Sequence, residues 1–132
     1  MLAPPGSPAG QTLRLLYPAT PRAFFVACVR DAIDDILEAC PEALRHCDVA
    51  IEEIPDPEEC WDDRVPLTGE IPANGGRPPR VIVYRRPAEL RAAGRDQLRR
   101  LVFTLVVEQV ALTTGLDIDL LDPQHHRFDP FD

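Results

Sequence analysis

The chain has 132 residues, 45% of them hydrophobic and 27% charged, with 22 acidic against 14 basic residues and a net charge of −8. That length fits one domain with some tail. The acidity argues against nucleic acid as a partner, because phosphate contacts dominate such binding. No apolar run reaches the roughly 20 residues of a membrane-spanning helix. Every basic residue is arginine, and the histidines are only His46, His125 and His126. Nitrogen ligands for a transition metal are therefore scarce.

Residues 1–19 are rich in Pro, Gly and Ala and lack a steady period. They read as a flexible arm, with a short extended piece at Leu13–Tyr17, and carry no export signal, so we expect a cytoplasmic protein. Thr20-Pro21 opens a helix: Thr supplies a capping oxygen and Pro suits the first helical position. Phe25, Val29, Ile33, Ile36 and Leu37 follow at helical spacing, and Pro41 ends the run. Val49–Ile54 reads as a short strand. A loop from Pro55 to Pro79 follows; loops of this length are usually functional or disordered, and Trp61, Val65 and Leu67 suggest that part of it packs down. Arg80–Arg85 is the clearest strand. Pro87–Ala93 reads as a helical turn broken at Gly94. The strongest helix runs from about Arg95 to Thr113, closed by Gly115. Its middle, Leu101 to Val107, is apolar nearly all round, which marks a central, buried helix. Asp117–Leu121 can make one more turn, and Pro123–Asp132 reads as a polar tail. The organisation is thus an arm (1–19), one α+β domain (20–122) and a tail (123–132), with two to four strands around a central helix.

Charge is sorted along the chain. Asp48 to Asp63 holds eight acids and no base, and Arg77 to Arg100 holds eight arginines and two acids. Two solvated faces would explain this, as would an acidic partner or self-association. Cys28, Cys40, Cys47 and Cys60 match no paired zinc-knuckle spacing and read as free thiols. Glu108 and Gln109 close the apolar stretch of the strongest helix. A carboxylate inside a protein is costly unless paired, protonated or bound to a metal, so Glu108 either turns outward to solvent or an arginine, or serves a site.

The order helix, strand, Pro-rich loop, strand ending in Tyr-Arg and buried helix ending in Gly resembles a family of small bacterial zincin-like metallopeptidases. Pro66-Leu67-Thr68 and Val81-Ile82-Val83-Tyr84-Arg85-Arg86-Pro87 look like two pieces of that family. Its buried helix typically reads V-V-H-E-x-x-H-x-x-G, and Val106-Val107-Glu108-Gln109-Val110-Ala111-Leu112-Thr113-Thr114-Gly115 lies over it without a gap. The resemblance spans Pro21 to Pro123 and implies a compact minimal zincin-like domain.

In that pattern two histidines one turn apart hold zinc and the glutamate between them activates the bound water. Glu108 stands at the first histidine position, Gln109 at the catalytic glutamate and Leu112 at the second histidine. The third ligand position falls at Ile118, flanked by Asp117 and Asp119. The resemblance therefore implies a domain without catalytic residues, metal or other cofactor. We expect it to bind a peptide or protein, with Tyr84, Arg85 and Arg86 on a strand edge contacting the partner, and neither nucleic acid nor membrane. Two alternatives stay open. One is a hydrolase with a rearranged metal site; Glu108, Asp117 and Asp119 would suit Mg²⁺ or Ca²⁺ better than zinc. The other is a structural subunit whose acidic and arginine-rich segments pair between chains.

Overall fold

The computed structural model describes residues 20–60 and 64–128. The expectations for the arm therefore lie outside the described residues, as do Trp61 to Asp63 and the last residues of the tail. Helix α1 spans Pro21–Ala39; Thr20 caps it, its side chain accepting a hydrogen bond from the Ala23 amide at 3.0 Å. A turn at 41–44 leads into strand β1, Asp48–Glu52. After a 3₁₀ turn at Pro57–Glu59 come strands β2 (Thr68–Ile71) and β3 (Arg80–Tyr84). Helices α2 (Arg85–Arg91), α3 (Arg95–Thr114) and α4 (Ile118–Leu121) complete the described chain. This is the expected α+β architecture. The stretch from Pro55 to Pro79, read as a loop, carries the 3₁₀ turn and β2. Four residues of strand containing a glycine and only one β-branched apolar residue leave little periodicity to read.

The sheet has the order β1-β3-β2. β1 pairs with β3 in parallel, Val49 beside Val81 and Ile51 beside Val83, and β2 pairs with β3 antiparallel, Thr68 beside Val83. This corrects one expectation. The strand Arg80–Tyr84, read as an open edge, is the central strand and is hydrogen-bonded on both sides. Its run of apolar residues fits that place, since central strands are covered on both faces. The edge beside the buried helix belongs to β2.

Val81 and Val83 face the main core with Phe25, Val29, Ile36, Leu101, Val102, Val106 and Val110. Ile82 and Tyr84, on the opposite face by alternation, are also buried. α3 is buried along most of its length, and Gly115 ends it in the left-handed conformation at φ 79°, which glycine adopts without strain. Residues 123–128, read as a polar tail, lie back against α3. The Phe128 amide donates to Thr104 Oγ1 at 3.1 Å, and the Arg100 guanidinium stacks over the Phe128 ring. Among the described residues no helix is long and apolar enough to cross a membrane.

Candidate functional site

The C-terminal half of α3 and strand β2 meet through a directed chain of hydrogen bonds. Thr68 Oγ1 donates to Gln109 Oε1 at 3.0 Å, and Gln109 Nε2 donates to Thr113 Oγ1 at 3.2 Å. Thr113 Oγ1 in turn donates to Glu70 Oε1. Thr68 and Glu70 are two apart on a strand, so their side chains share a face; Gln109 and Thr113 are four apart on a helix and do the same. The amide of Gln109 accepts with one atom and donates with the other. A carboxylate there would only accept, and Thr113 has a single proton to give. Glutamine is thus suited to tie strand to helix, and not to take up a proton.

Around α3, at about 100° per residue, Val110 and Val106 face the sheet, Thr113 and Gln109 come next toward β2, and Leu112 and then Glu108 follow further round, turned away from the sheet. Burial agrees with this order: Val106 and Val110 are inaccessible, Gln109 and Thr113 are half-buried, and Leu112 is 77% exposed. Glu108 is exposed too, so of the two readings above the outward-turned one is what the structure shows. The helix is buried around most of its circumference but opens to solvent at this turn.

Asp117 and Asp119 have other tasks. Asp117 caps α4 by accepting from the Asp119 amide at 3.0 Å. Asp119 pairs with Arg127 at 3.0 Å and lies 3.6 Å from His125. Arg127 also reaches the buried Asp122 at 3.0 Å. Burial alone would raise the Asp122 carboxyl, but the His126 and Arg127 amides and the guanidinium outweigh it and hold it below the usual range. Among the described residues no three His, Cys, Asp or Glu side chains converge as a metal site. The cysteines are free, and burial pushes the Cys28 and Cys47 thiols above their ordinary range.

Tyr84 and Arg85 are committed internally. Tyr84 is 1% exposed and its Oη donates to Glu59 Oε2 at 2.5 Å. Burial, then the Glu59 carboxylate, pushes the phenol well above its usual range. Its ring passes so close to β2 that a Cβ added at Gly69 would lie 2.9 Å from Oη. Arg85 grips Glu53 through Nε at 2.9 Å and Nη2 at 2.5 Å, and Glu89 through Nη1 at 2.9 Å. The Glu53 bond, with those to Glu89, raises the guanidinium and keeps it charged. Arg86 is exposed, and its amide donates to the Glu53 carbonyl at 3.0 Å.

The backbone of β2 is the open element. Tyr84 donates its amide to the Leu67 carbonyl at 3.0 Å. Bonded pairs alternate along an antiparallel ladder, so Gly69 and Ile71 turn their backbone groups toward β3, while Thr68 and Glu70 turn theirs outward. Among the described residues no strand pairs with that outer side. Sequence reasoning singled out Gln109 but missed its partners Thr113, Thr68 and Glu70. The signal was available in the i,i+4 spacing on the helix and the period of two after Thr68.

No curated protein matches the chain. Residues 44–127, nearly two thirds of it, match the family described as zincin-like metallopeptidase, a span that runs from just before β1 to the residues that fold back on α3. The chain belongs to the zincin-like metallopeptidase family.

Proposed function

We propose that this family member has lost zinc and catalysis and acts as a peptide- or protein-binding module. The observation that carries the reading is the state of Gln109, which stands where the family pattern has its catalytic glutamate and is hydrogen-bonded in both directions, to Thr68 and Thr113. The donor set does not fit the zinc ion that the family implies. Leu112 has no donor atom, Glu108 supplies a single carboxylate, Asp117 caps a helix and Asp119 is paired with arginine. We therefore assign the chain no hydrolytic step.

What the fold retains is a sheet edge beside an exposed helical turn. An extended peptide adding to β2 would pair with the outward backbone groups of Thr68 and Glu70, on the side of the sheet next to the exposed Leu112. This moves the peptide site from Tyr84, Arg85 and Arg86, as first expected, to the other strand bordering the same helix. Metal analysis of the gently purified protein, with a chelator-controlled peptidase assay, tests the loss of zinc. We expect no stoichiometric metal and no chelator-sensitive cleavage. One bound metal ion per chain with chelator-sensitive activity would refute the reading and favour a hydrolase with a rearranged site.

A further inference from the structure

Helices α1 and α3 pack side by side, and a cleft of about 630 Å³ lies between them, within the range of small-molecule sites. We propose that this cleft binds a free dipeptide, with the carboxylate terminus on the α3 wall and the ammonium terminus on the α1 wall. The two walls carry opposite charge. Asp31, Asp34 and Asp35, which share one face of α1, line one side, and Arg99 and Arg100 of α3 line the other. Ion pairs across the gap would be the simplest way to neutralise both walls. Yet among the described residues neither arginine pairs with any of the three carboxylates. Each guanidinium lies over an aromatic ring instead, Arg99 5.4 Å from the centre of Phe24 and Arg100 4.8 Å from that of Phe128. The rings hold the cations on their own wall, and all five charged residues are exposed, so a ligand reaches them from solvent. The acidic wall is short of positive charge. Burial, then the Asp31 and Glu38 carboxylates, raises the Asp35 carboxyl above its ordinary range, and His126 offsets this only in part. Among the described residues these carboxylates do not converge as a metal site, so an organic ammonium is the cation that fits. Between the walls the lining is apolar: the buried Ala32 and the half-buried Phe103, whose ring lies 6.3 Å from that of His126. A ligand with one charge would satisfy one wall only. A free amino acid holds both charges on one carbon. A dipeptide sets them a peptide unit further apart, about 3.8 Å between its Cα atoms, and so spans walls too distant to pair directly.

The test is an NMR titration of the full chain, read at the amides of Ala32 and Phe103, with the dipeptide Ala-Leu and its N-acetyl and C-amide forms. A dipeptide is too short to pair as a strand, so the result is independent of the reading of β2. We expect the free dipeptide to bind about fivefold more tightly than either blocked form, a gap in the range of exposed charge pairs that closes at high salt. Arg99→Gln with Arg100→Gln should weaken the free and acetylated forms and leave the amide unchanged. Asp31→Asn with Asp35→Asn should weaken the free and amidated forms and leave the acetylated one unchanged. That crossed pattern ties each terminus to one wall, which a merely loosened helix pair would not do. Equal binding of the free and blocked forms, an equal loss for all three ligands in the variants, or no shift at the two amides would each overturn the proposal.

Discussion

Replacing Gln109 by methionine keeps the side chain's length and removes both of its hydrogen bonds. Each such bond contributes about 0.5–1.5 kcal/mol net. Both are only part-buried, so water restores some of the loss to Thr68 and Thr113. The lower half of the combined range, about 1–2 kcal/mol, is the expected cost. It falls on one contact, the docking of β2 on α3, because Val106 and Val110 still pack against the sheet. Local opening of β2 should therefore become about tenfold more frequent, the equivalent of 1.4 kcal/mol. Native-state hydrogen exchange reads this at the amides of Gly69 and Ile71, which point into the ladder with β3. Both should exchange about tenfold faster, while the amides in the middle of α3 keep their protection. Gln109→Glu should behave no better at neutral pH, since a carboxylate has no proton to give Thr113. Unchanged exchange at Gly69 and Ile71 in both variants would refute the idea that Gln109 ties the strand to the helix.

Two further outcomes follow from the same geometry. Gly69→Ala should destabilise the protein by about 1–3 kcal/mol in thermal or urea unfolding, because the new Cβ meets Tyr84 Oη at 2.9 Å; in a Tyr84→Phe background the added cost should be clearly smaller, and simple additivity would count against the contact. Asp122, held below the usual carboxylate range in the folded state, stabilises the fold above its unfolded pKa of about 3.9, and that contribution is lost as pH falls through the lower folded value. Asp122→Asn should accordingly flatten the acid limb of the stability–pH curve below about pH 4, and an identical limb in the variant would remove Asp122 from the account.

Long, strongly patterned elements were legible in the sequence. Thr20-Pro21 and the following apolar spacing place α1, and Leu101 to Val107 with Gly115 place α3, because burial on one stripe or all round leaves a periodic trace. Strand β3 was legible as a strand but not as the central one, since an apolar run does not say what pairs with it. Strand β2 left almost no trace: Thr68-Gly69-Glu70-Ile71 has two polar residues aimed at α3, and its glycine is there for the Tyr84 ring, a contact 15 residues distant in sequence. Glu108 shows what the pattern leaves open. It follows a stretch of seven residues that is apolar but for Thr104, yet the burial of α3 lapses on one side at that turn, and no local pattern announces where a neighbouring element stops covering a helix.

The placing of β3 between a parallel and an antiparallel neighbour also bears on how the chain folds. Residues 68–84 form a hairpin joined by the segment 72–79, a short loop to close, whereas Asp48 must find Arg80 across 32 residues, a costlier closure. The physics of loop closure favours the hairpin, backed by the adjacent α3, as the earlier structure and β1 as the strand that completes the sheet. On that route the contacts of Gln109 with the hairpin form early, so their loss would slow folding as well as loosen the folded edge. Speed of assembly, rather than chemistry, would then be what a glutamine at this turn of the helix provides.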